Sequence, residues 1–175
     1  AQLPVPPEFA IIGEPSMMRL ITGQKGKIAM RVTVRGEGGH SSFSPQHVNA
    51  VEYASRIITM IAERSRRYEQ DGPFDQDFTV PHATTLTTII EGGVATNVTP
   101  DTCSFIFELR SIDQEAAATD IQALISDIET ALLPEMKRQS AESSIEWKEI
   151  FAYPAMGDAT DSEMFKKLEP ILPVR

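Results

Sequence analysis

Two segments of the chain alternate strictly between apolar and polar residues, and this alternation limits the fold more than any other pattern. Residues 27–35 place Ile28 and Met30 on one face, and residues 101–110 place Phe105 and its apolar neighbours on one face in the same way. Successive side chains of a β-strand point to opposite faces, so each segment predicts a strand with one buried face. Such strands need a covering layer on one side of their sheet only.

Two helical patterns can supply that layer. Apolar residues at helical spacing predict a helix over residues 45–69, capped by Ser44. A second apolar stripe predicts a helix that begins after the cap Asp113 and ends at Pro134.

The element order then defines the fold class. Residues 84–90 are rich in threonine and isoleucine, and residues 145–151 are also typical of a strand. The order β-α-β-β-α-β predicts an α+β, two-layer ferredoxin-like domain with an antiparallel sheet.

The two ends of the chain have no partner in this arrangement. Residues 9–12 form a short apolar run that predicts a buried strand, and residues 161–165 suggest another helix. We therefore expect residues 23–152 to be a domain inserted in a neighbouring one, to which residues 1–22 and 153–175 belong.

Composition excludes several classes of function. The net charge of -9 repels a phosphate backbone and argues against nucleic-acid binding. No apolar run reaches the roughly 18 residues that a membrane span needs. The single cysteine, Cys103, excludes an internal disulfide framework and is expected in the core of a cytoplasmic protein. Because the chain starts without Met or a signal-peptide pattern, we expect Ala1 to begin a segment of a longer protein.

A glycine-rich corner, residues 36–42, carries the histidine best placed for chemistry. Glycine permits a sharp turn, which can bring His40 to a strand–helix corner where its ring could donate to an oxyanion. A solvated loop histidine is the alternative interpretation. Ser41 and Ser42 lack an oriented acid partner or a nucleophile elbow, so a serine hydrolase is not predicted. The corner also lacks the lysine of a P-loop and the spacing of a dinucleotide fingerprint.

Three more polar residues are candidates, each with a purely structural alternative. Asn97 precedes Pro100 in a turn, where asparagine is common for conformational reasons. Arg110 ends a strand on its polar face, where it is either solvated or available to clasp a carboxylate. Glu14 follows the first apolar run and cannot hold a metal alone, because a zinc site needs about three or four protein ligands.

The ordered set of motifs resembles a known family. Ile11–Ser16, Gly39–Ser42, Glu91–Gly93, Asn97–Pro100 and Cys103–Arg110 resemble the metal-dependent deacylases and exopeptidases related to acetylornithine deacetylase, succinyl-diaminopimelate desuccinylase and carboxypeptidase G. The stretch from Phe105 to Arg110 is most similar to the acetylornithine deacetylases.

The resemblance implies a role for each candidate residue. In such enzymes a catalytic domain with two zinc or cobalt ions carries an inserted dimerisation or lid domain. Glu14 would bind metal, and His40 would reach the active site of a homodimer partner to stabilise the tetrahedral intermediate. Asn97 and Arg110 would bind the substrate, an N-acyl amino acid such as N-acetylornithine of arginine biosynthesis.

The resemblance also implies that the chain is incomplete. The family's other metal ligands have no match in it, so we expect the isolated segment to be inactive. The alternative is a non-catalytic ferredoxin-like module that assembles through a sheet edge or binds a small ligand.

Overall fold

The computed structural model describes residue 13 and residues 15–172, and it divides the chain into two compact units. The larger unit is Lys25–Ala155. The smaller unit contains the described residues up to Gln24 together with those from Met156 onward.

The larger unit consists of one four-stranded sheet, one two-stranded ladder and two long helices. Its elements are β1 (Gly26–Arg35), β2 (Gly39–His40), a 3-10 segment (Ser41–Gln46), α1 (Ala50–Asp71), β3 (Thr84–Gly92), β4 (Val98–Thr99), β5 (Thr102–Ser111), α2 (Gln114–Gln139) and β6 (Ser144–Tyr153). The sheet has the order β3-β5-β1-β6 with antiparallel neighbours, and β2 pairs with β4. The α+β class and the antiparallel sheet are confirmed.

The core lies between the helices and one face of the sheet. Val32, Phe105 and Phe107 are fully buried on that face, and Ile57 and Ile128 meet them from α1 and α2. Fully burying one such side chain contributes roughly 1.5–3 kcal/mol to folding. The other face of the sheet is less covered and carries the polar half of each alternating strand.

The prediction that α1 begins at residue 45 is wrong. Residues 41–46 form the 3-10 segment instead, and α1 begins at Ala50. The side-chain oxygen of Asn49 accepts the backbone N–H groups of Val51 and Glu52, at 3.0 and 3.3 Å. Asn49 is therefore the N-cap, because it satisfies donors that the first helical turn cannot.

The prediction that α2 ends at Pro134 is also wrong, since the helix continues to Gln139. Pro134 is exposed, so its ring lies on the solvent side of the helix. Met136 is fully buried in the next turn, and Glu135 pairs with α1. Tertiary contacts thus outweigh the hydrogen bond that proline removes.

The smaller unit is short and has little regular structure. Gln24 and Met156 exchange two backbone hydrogen bonds of 2.9 Å. It contains one short helix, α3 (Glu163–Leu168), which begins after the cap Ser162. This confirms the helix suggested near residues 161–165. The strand expected at residues 9–12 lies outside the described residues. Among the helices described, none combines the length and the apolar content that crossing a bilayer would require.

Candidate functional site

Pairing of β2 with β4 brings two of the candidate residues together. His40 lies opposite Val98 in this ladder, and the backbone N–H of Ser41 donates to the carbonyl of Asn97 at 3.0 Å. The side chains of His40 and Asn97 are both exposed. The corner therefore presents an exposed imidazole, and the exposed side chain of Asn97 belongs to the segment that is bonded to it through the backbone.

The hydrogen bonds of the His40 ring assign a function to each of its nitrogens. The backbone N–H of Ser42 donates to Nδ1 at 3.2 Å, and the Ser42 hydroxyl lies 2.8 Å from the same atom. An N–H donor requires a lone pair on Nδ1, so the neutral ring carries its proton on Nε2. The ring is then held as a donor whose Nε2–H group is available to an oxyanion.

A second histidine, His47, packs against the glycine of this corner. A side chain at Gly39 would overlap the ring of His47, so only glycine leaves room for that imidazole. The side-chain amide of Gln139 donates to the carbonyls of Pro45 and His47, at 2.9 and 2.8 Å. The last turn of α2, beyond Pro134, thus fixes the segment that follows His40.

The described residues do not form a metal centre. Within the part of the chain that the structure describes, no three His, Cys, Asp or Glu side chains are grouped so that they could hold a metal ion. Glu14, the predicted metal ligand, lies outside the described residues. No chemical step can therefore be assigned to a metal from these residues.

Arg110 lies far from the histidine corner. β1 leads into the corner from Arg35, which pairs with Thr102 at the start of β5, whereas Arg110 pairs with Lys27 at the other end. Arg110 is eight residue steps along β5 from Thr102, which is about 26 Å at about 3.3 Å per step. Sequence reasoning grouped Arg110 with His40, but one chain does not bring them to one small ligand.

Arg110 is held by a polar cluster on the open face of the sheet. Its Nε donates to Glu108 at 3.0 Å, and its Nη1 donates to the hydroxyl of Tyr153. The other carboxylate oxygen of Glu108 pairs with Lys27. Burial opposes ionisation of Glu108, but the hydrogen bonds from Lys27 and Arg110 outweigh it and lower the pKa of the carboxyl group. Glu108 in turn raises the pKa of Arg110 against the effect of burial.

Sequence reasoning gave no role to Glu108, Tyr153 or Gln139. The period of two residues does place Glu108 on the polar face with Arg110, because positions i and i+2 share a face of a strand. Tyr153 meets Arg110 across β1, with which both β5 and β6 pair, and that register has no local signal in the sequence.

Comparison with known proteins relates the chain to one family. The model of the peptidase dimerisation domain matches residues 22–136. The acetylornithine deacetylase of Buchnera aphidicola from Schizaphis graminum is 26% identical over 94% of this chain and 42% of that protein. The acetylornithine deacetylase of Yersinia pseudotuberculosis serotype O:1b is 30% identical over 80% of this chain and 35% of that protein. The chain thus spans less than half the length of these relatives.

The fold is also shared with a solved structure. A tripeptidase from Staphylococcus aureus superposes with a TM-score of 0.56 at 20% identity, over 85% of this chain and 34% of that one. At this identity the likeness concerns the fold alone. The family match covers more than half of the chain, and the acetylornithine deacetylase relatives agree with it. The chain therefore belongs to the M20 peptidase family, as its dimerisation domain.

Proposed function

We propose that this chain is the dimerisation and lid segment of a two-metal amidohydrolase that removes the acyl group from an N-acyl amino acid. The larger unit, Lys25–Ala155, is the lid, and the segments before and after it are flanks of the catalytic domain. Names of the relatives favour N-acetylornithine as the substrate, which would place the enzyme in arginine biosynthesis in the cytoplasm. By itself the segment is inactive.

The observation that best supports the proposal is the hydrogen bonding of the His40 ring. Its Nδ1 accepts the backbone N–H of Ser42, which leaves the Nε2–H group as a donor on an exposed corner. A preorganised donor of this kind stabilises the negative charge that develops when an amide carbonyl is attacked. The carbonyl of Asn97 accepts the backbone N–H of Ser41, next to His40, and the exposed Asn97 side chain can supply a second polar contact to the substrate.

The length of the strands favours a site to which two subunits of a dimer contribute residues. An N-acyl amino acid is much shorter than the roughly 26 Å of strand between Arg110 and Thr102, which pairs with the last residue of β1 before the corner. If both His40 and Arg110 touch one substrate, they must come from two different subunits. Arg110 then binds the substrate carboxylate in one subunit, and His40 of the partner donates to the carbonyl oxygen.

Strand β3 is the edge best suited to self-association. It carries one charged residue, Glu91, whereas the opposite edge β6 carries Glu146, Lys148 and Glu149. Charged side chains protect an edge strand from pairing, and β3 lacks that protection. Its side chains Leu86 and Ile90 are more than half exposed, at 59% and 53%. We assign β3 as the edge that pairs with a second copy.

Two divalent metal ions, zinc or cobalt, belong to the proposal but not to the described residues. When bound, such ions polarise a carbonyl oxygen and activate water. We assign them to the catalytic domain of the longer protein, with Glu14 as one ligand.

The test is the variant His40→Ala in the full-length protein. Turnover of N-acetylornithine should fall by about two to three powers of ten, which is the effect of losing one oxyanion donor. Metal content should not change. His82→Ala is the matched control, because His82 lies in the loop before β3 and its ring bonds the carbonyl of its neighbour Ala83, away from the corner. Wild-type turnover in His40→Ala would rule out the role.

The non-catalytic module remains the second candidate, because the open β3 edge would serve it equally well. Metal-dependent deacylation by the full-length protein separates the two functions. If the full-length protein releases acetate from no N-acetyl amino acid, the assembly module becomes the better assignment.

A further inference from the structure

Lys27, Glu108, Arg110 and Tyr153 form a connected group on the open face of the sheet, which we name the Arg110 cluster. Glu108 bridges the two cations: one carboxylate oxygen accepts from Arg110 Nε at 3.0 Å, and the other pairs with Lys27. Tyr153 accepts from Arg110 Nη1. The guanidinium is therefore held at two of its three nitrogens.

The remaining donors of Arg110 point to one binding edge. A guanidinium has five N–H groups. Glu108 occupies Nε and Tyr153 occupies one hydrogen of Nη1, while no described residue bonds Nη2. The terminal edge formed by Nη1 and Nη2 is therefore where a ligand carboxylate finds unused donors.

Charge and exposure fit a single carboxylate. Two cations and one carboxylate leave the three charged residues with a net charge of about +1 when all are ionised. The side chains of Lys27 and Glu108 are 17% and 16% exposed, whereas that of Arg110 is 35% exposed. Arg110 is therefore the charged member of the cluster that is most accessible to a ligand.

Tyr153 has an unused donor at the same place. Its oxygen accepts from Arg110, so its own O–H hydrogen remains free to donate. The ring is fixed by stacking on Phe151, with centroids 6.3 Å apart and an interplanar angle of 18°. Arg110 also lies over this ring, with Cζ 5.8 Å from its centroid. The hydroxyl is thus held next to the edge of Arg110 that a carboxylate would use.

We infer that Tyr153 is a second residue that binds the substrate carboxylate, and that Glu108 is a positioning residue that confines this carboxylate to the terminal edge of Arg110. The inference rests on the proposed function, because it takes the ligand of Arg110 to be the carboxylate of an N-acyl amino acid. The inference names two further residues by which the enzyme would prefer substrates with a free carboxylate over the corresponding amides.

The first experiment compares Tyr153→Phe with the unmodified full-length protein on two substrates, an N-acetyl amino acid and its carboxamide. KM for the carboxylate should rise about tenfold more than KM for the carboxamide, since the lost bond is made to a charged group. Tyr53→Phe is the control, because the Tyr53 hydroxyl bonds Glu135 in the helical layer. It should leave the ratio of the two KM values unchanged.

The second experiment uses Glu108→Gln. By charge alone this change should tighten carboxylate binding, because the cluster becomes more positive. A positioning role predicts the opposite, namely a roughly tenfold loss of preference for the carboxylate. Glu146→Gln is the matched control, because Glu146 also pairs with an arginine of this sheet, Arg35 at 2.6 Å. It should leave the preference unchanged.

Three outcomes would overturn the inference. These are equal losses on both substrates in Tyr153→Phe, a stronger carboxylate preference in Glu108→Gln, and wild-type behaviour in both variants. If the unmodified protein hydrolyses neither substrate, the proposed function fails, and calorimetry with N-acetylglycine and N-acetylglycinamide makes the same comparison. If the unmodified protein binds N-acetylglycine more tightly than N-acetylglycinamide and Tyr153→Phe abolishes this preference, the carboxylate-binding role of the Arg110 cluster is supported without the enzyme activity. If the unmodified protein shows no such preference, the inference is overturned.

Discussion

Glu135 of α2 is one of the residues that join the two long helices of the larger unit. Its carboxylate accepts both terminal nitrogens of Arg56, at 2.9 and 2.8 Å, and the hydroxyl of Tyr53 at 2.9 Å. The hydrogen bonds from Arg56, followed by the one from Tyr53, lower the pKa of Glu135 from 4.5 to about 2. Because the pKa is lowered in the folded state, the ionised carboxylate stabilises the fold.

The pH dependence follows from the direction of that shift. The contribution of Glu135 is complete above about pH 4.5 and is lost as the pH falls towards about 2. In Glu135→Gln the free energy of unfolding at pH 7 should fall by about 1 kcal/mol, because partial exposure of the pair screens it. Denaturant unfolding of the chain at a series of pH values measures both effects.

The control for this prediction is Glu142→Gln, on the exposed turn before β6. It should keep the wild-type loss of stability between pH 4.5 and 2, whereas Glu135→Gln should show a smaller loss. Identical slopes in wild type and Glu135→Gln would show that the pair contributes nothing to folding.

At the residue scale, the sequence predicted which face of a strand a side chain occupies better than it predicted the distance between two side chains. The alternation of β5 correctly placed Arg110 opposite Phe105 and Phe107. It could not show that Arg110 pairs with the start of β1 while His40 pairs with β4 beyond the end of β1, because both facts depend on strand register. The donor state of His40 was also inaccessible, since it depends on a backbone N–H two residues away.

At the scale of elements, the unprotected edge of β3 leads to a prediction about assembly. A lysine in place of Ile90, which is 53% exposed on this edge, should oppose strand pairing by introducing a charge. We expect Ile90→Lys to raise the dissociation constant of the dimer at least about tenfold, because like charges would meet in a symmetric pair. Sedimentation velocity over a concentration series measures it.

Ile150→Lys provides the matched control on the opposite edge. Ile150 lies on β6 and is 43% exposed, so the chemical change and the exposure are similar. This variant should dimerise like the wild type. Dissociation by Ile150→Lys but not by Ile90→Lys would assign the interface to β6 instead.

Strands were predicted more accurately than helix ends, for a physical reason. The alternation that identified β1 and β5 is the same pattern that buries one face of each strand, so both were found to within one residue at each end. The ends of α1 and α2 depend on tertiary contacts. Asn49, rather than Ser44, is the N-cap of α1. The burial of Met136 stabilises the continuation of α2 beyond Pro134.

At the scale of the whole molecule, the open question is which subunit supplies each part of the active site. The described residues contain a donor, His40, on the β2–β4 ladder that follows β1, and a cation, Arg110, beside the start of β1, and they contain no metal cluster. A site that needs both therefore draws on two subunits, and a symmetric dimer would then contain two such shared sites.

Mixing two inactive full-length variants tests this sharing directly. His40→Ala keeps the metal site and loses the donor, whereas Glu14→Ala loses a proposed metal ligand and keeps the donor. If His40 acts across the interface, each mixed dimer contains one complete site, and an equimolar mixture should recover up to about a quarter of wild-type deacylase activity by random assortment of subunits. Unfolding and refolding the two proteins together, with each refolded alone as the control, provides the comparison. If His40 serves its own subunit instead, no mixed dimer contains a complete site, and the mixture stays as inactive as its parents.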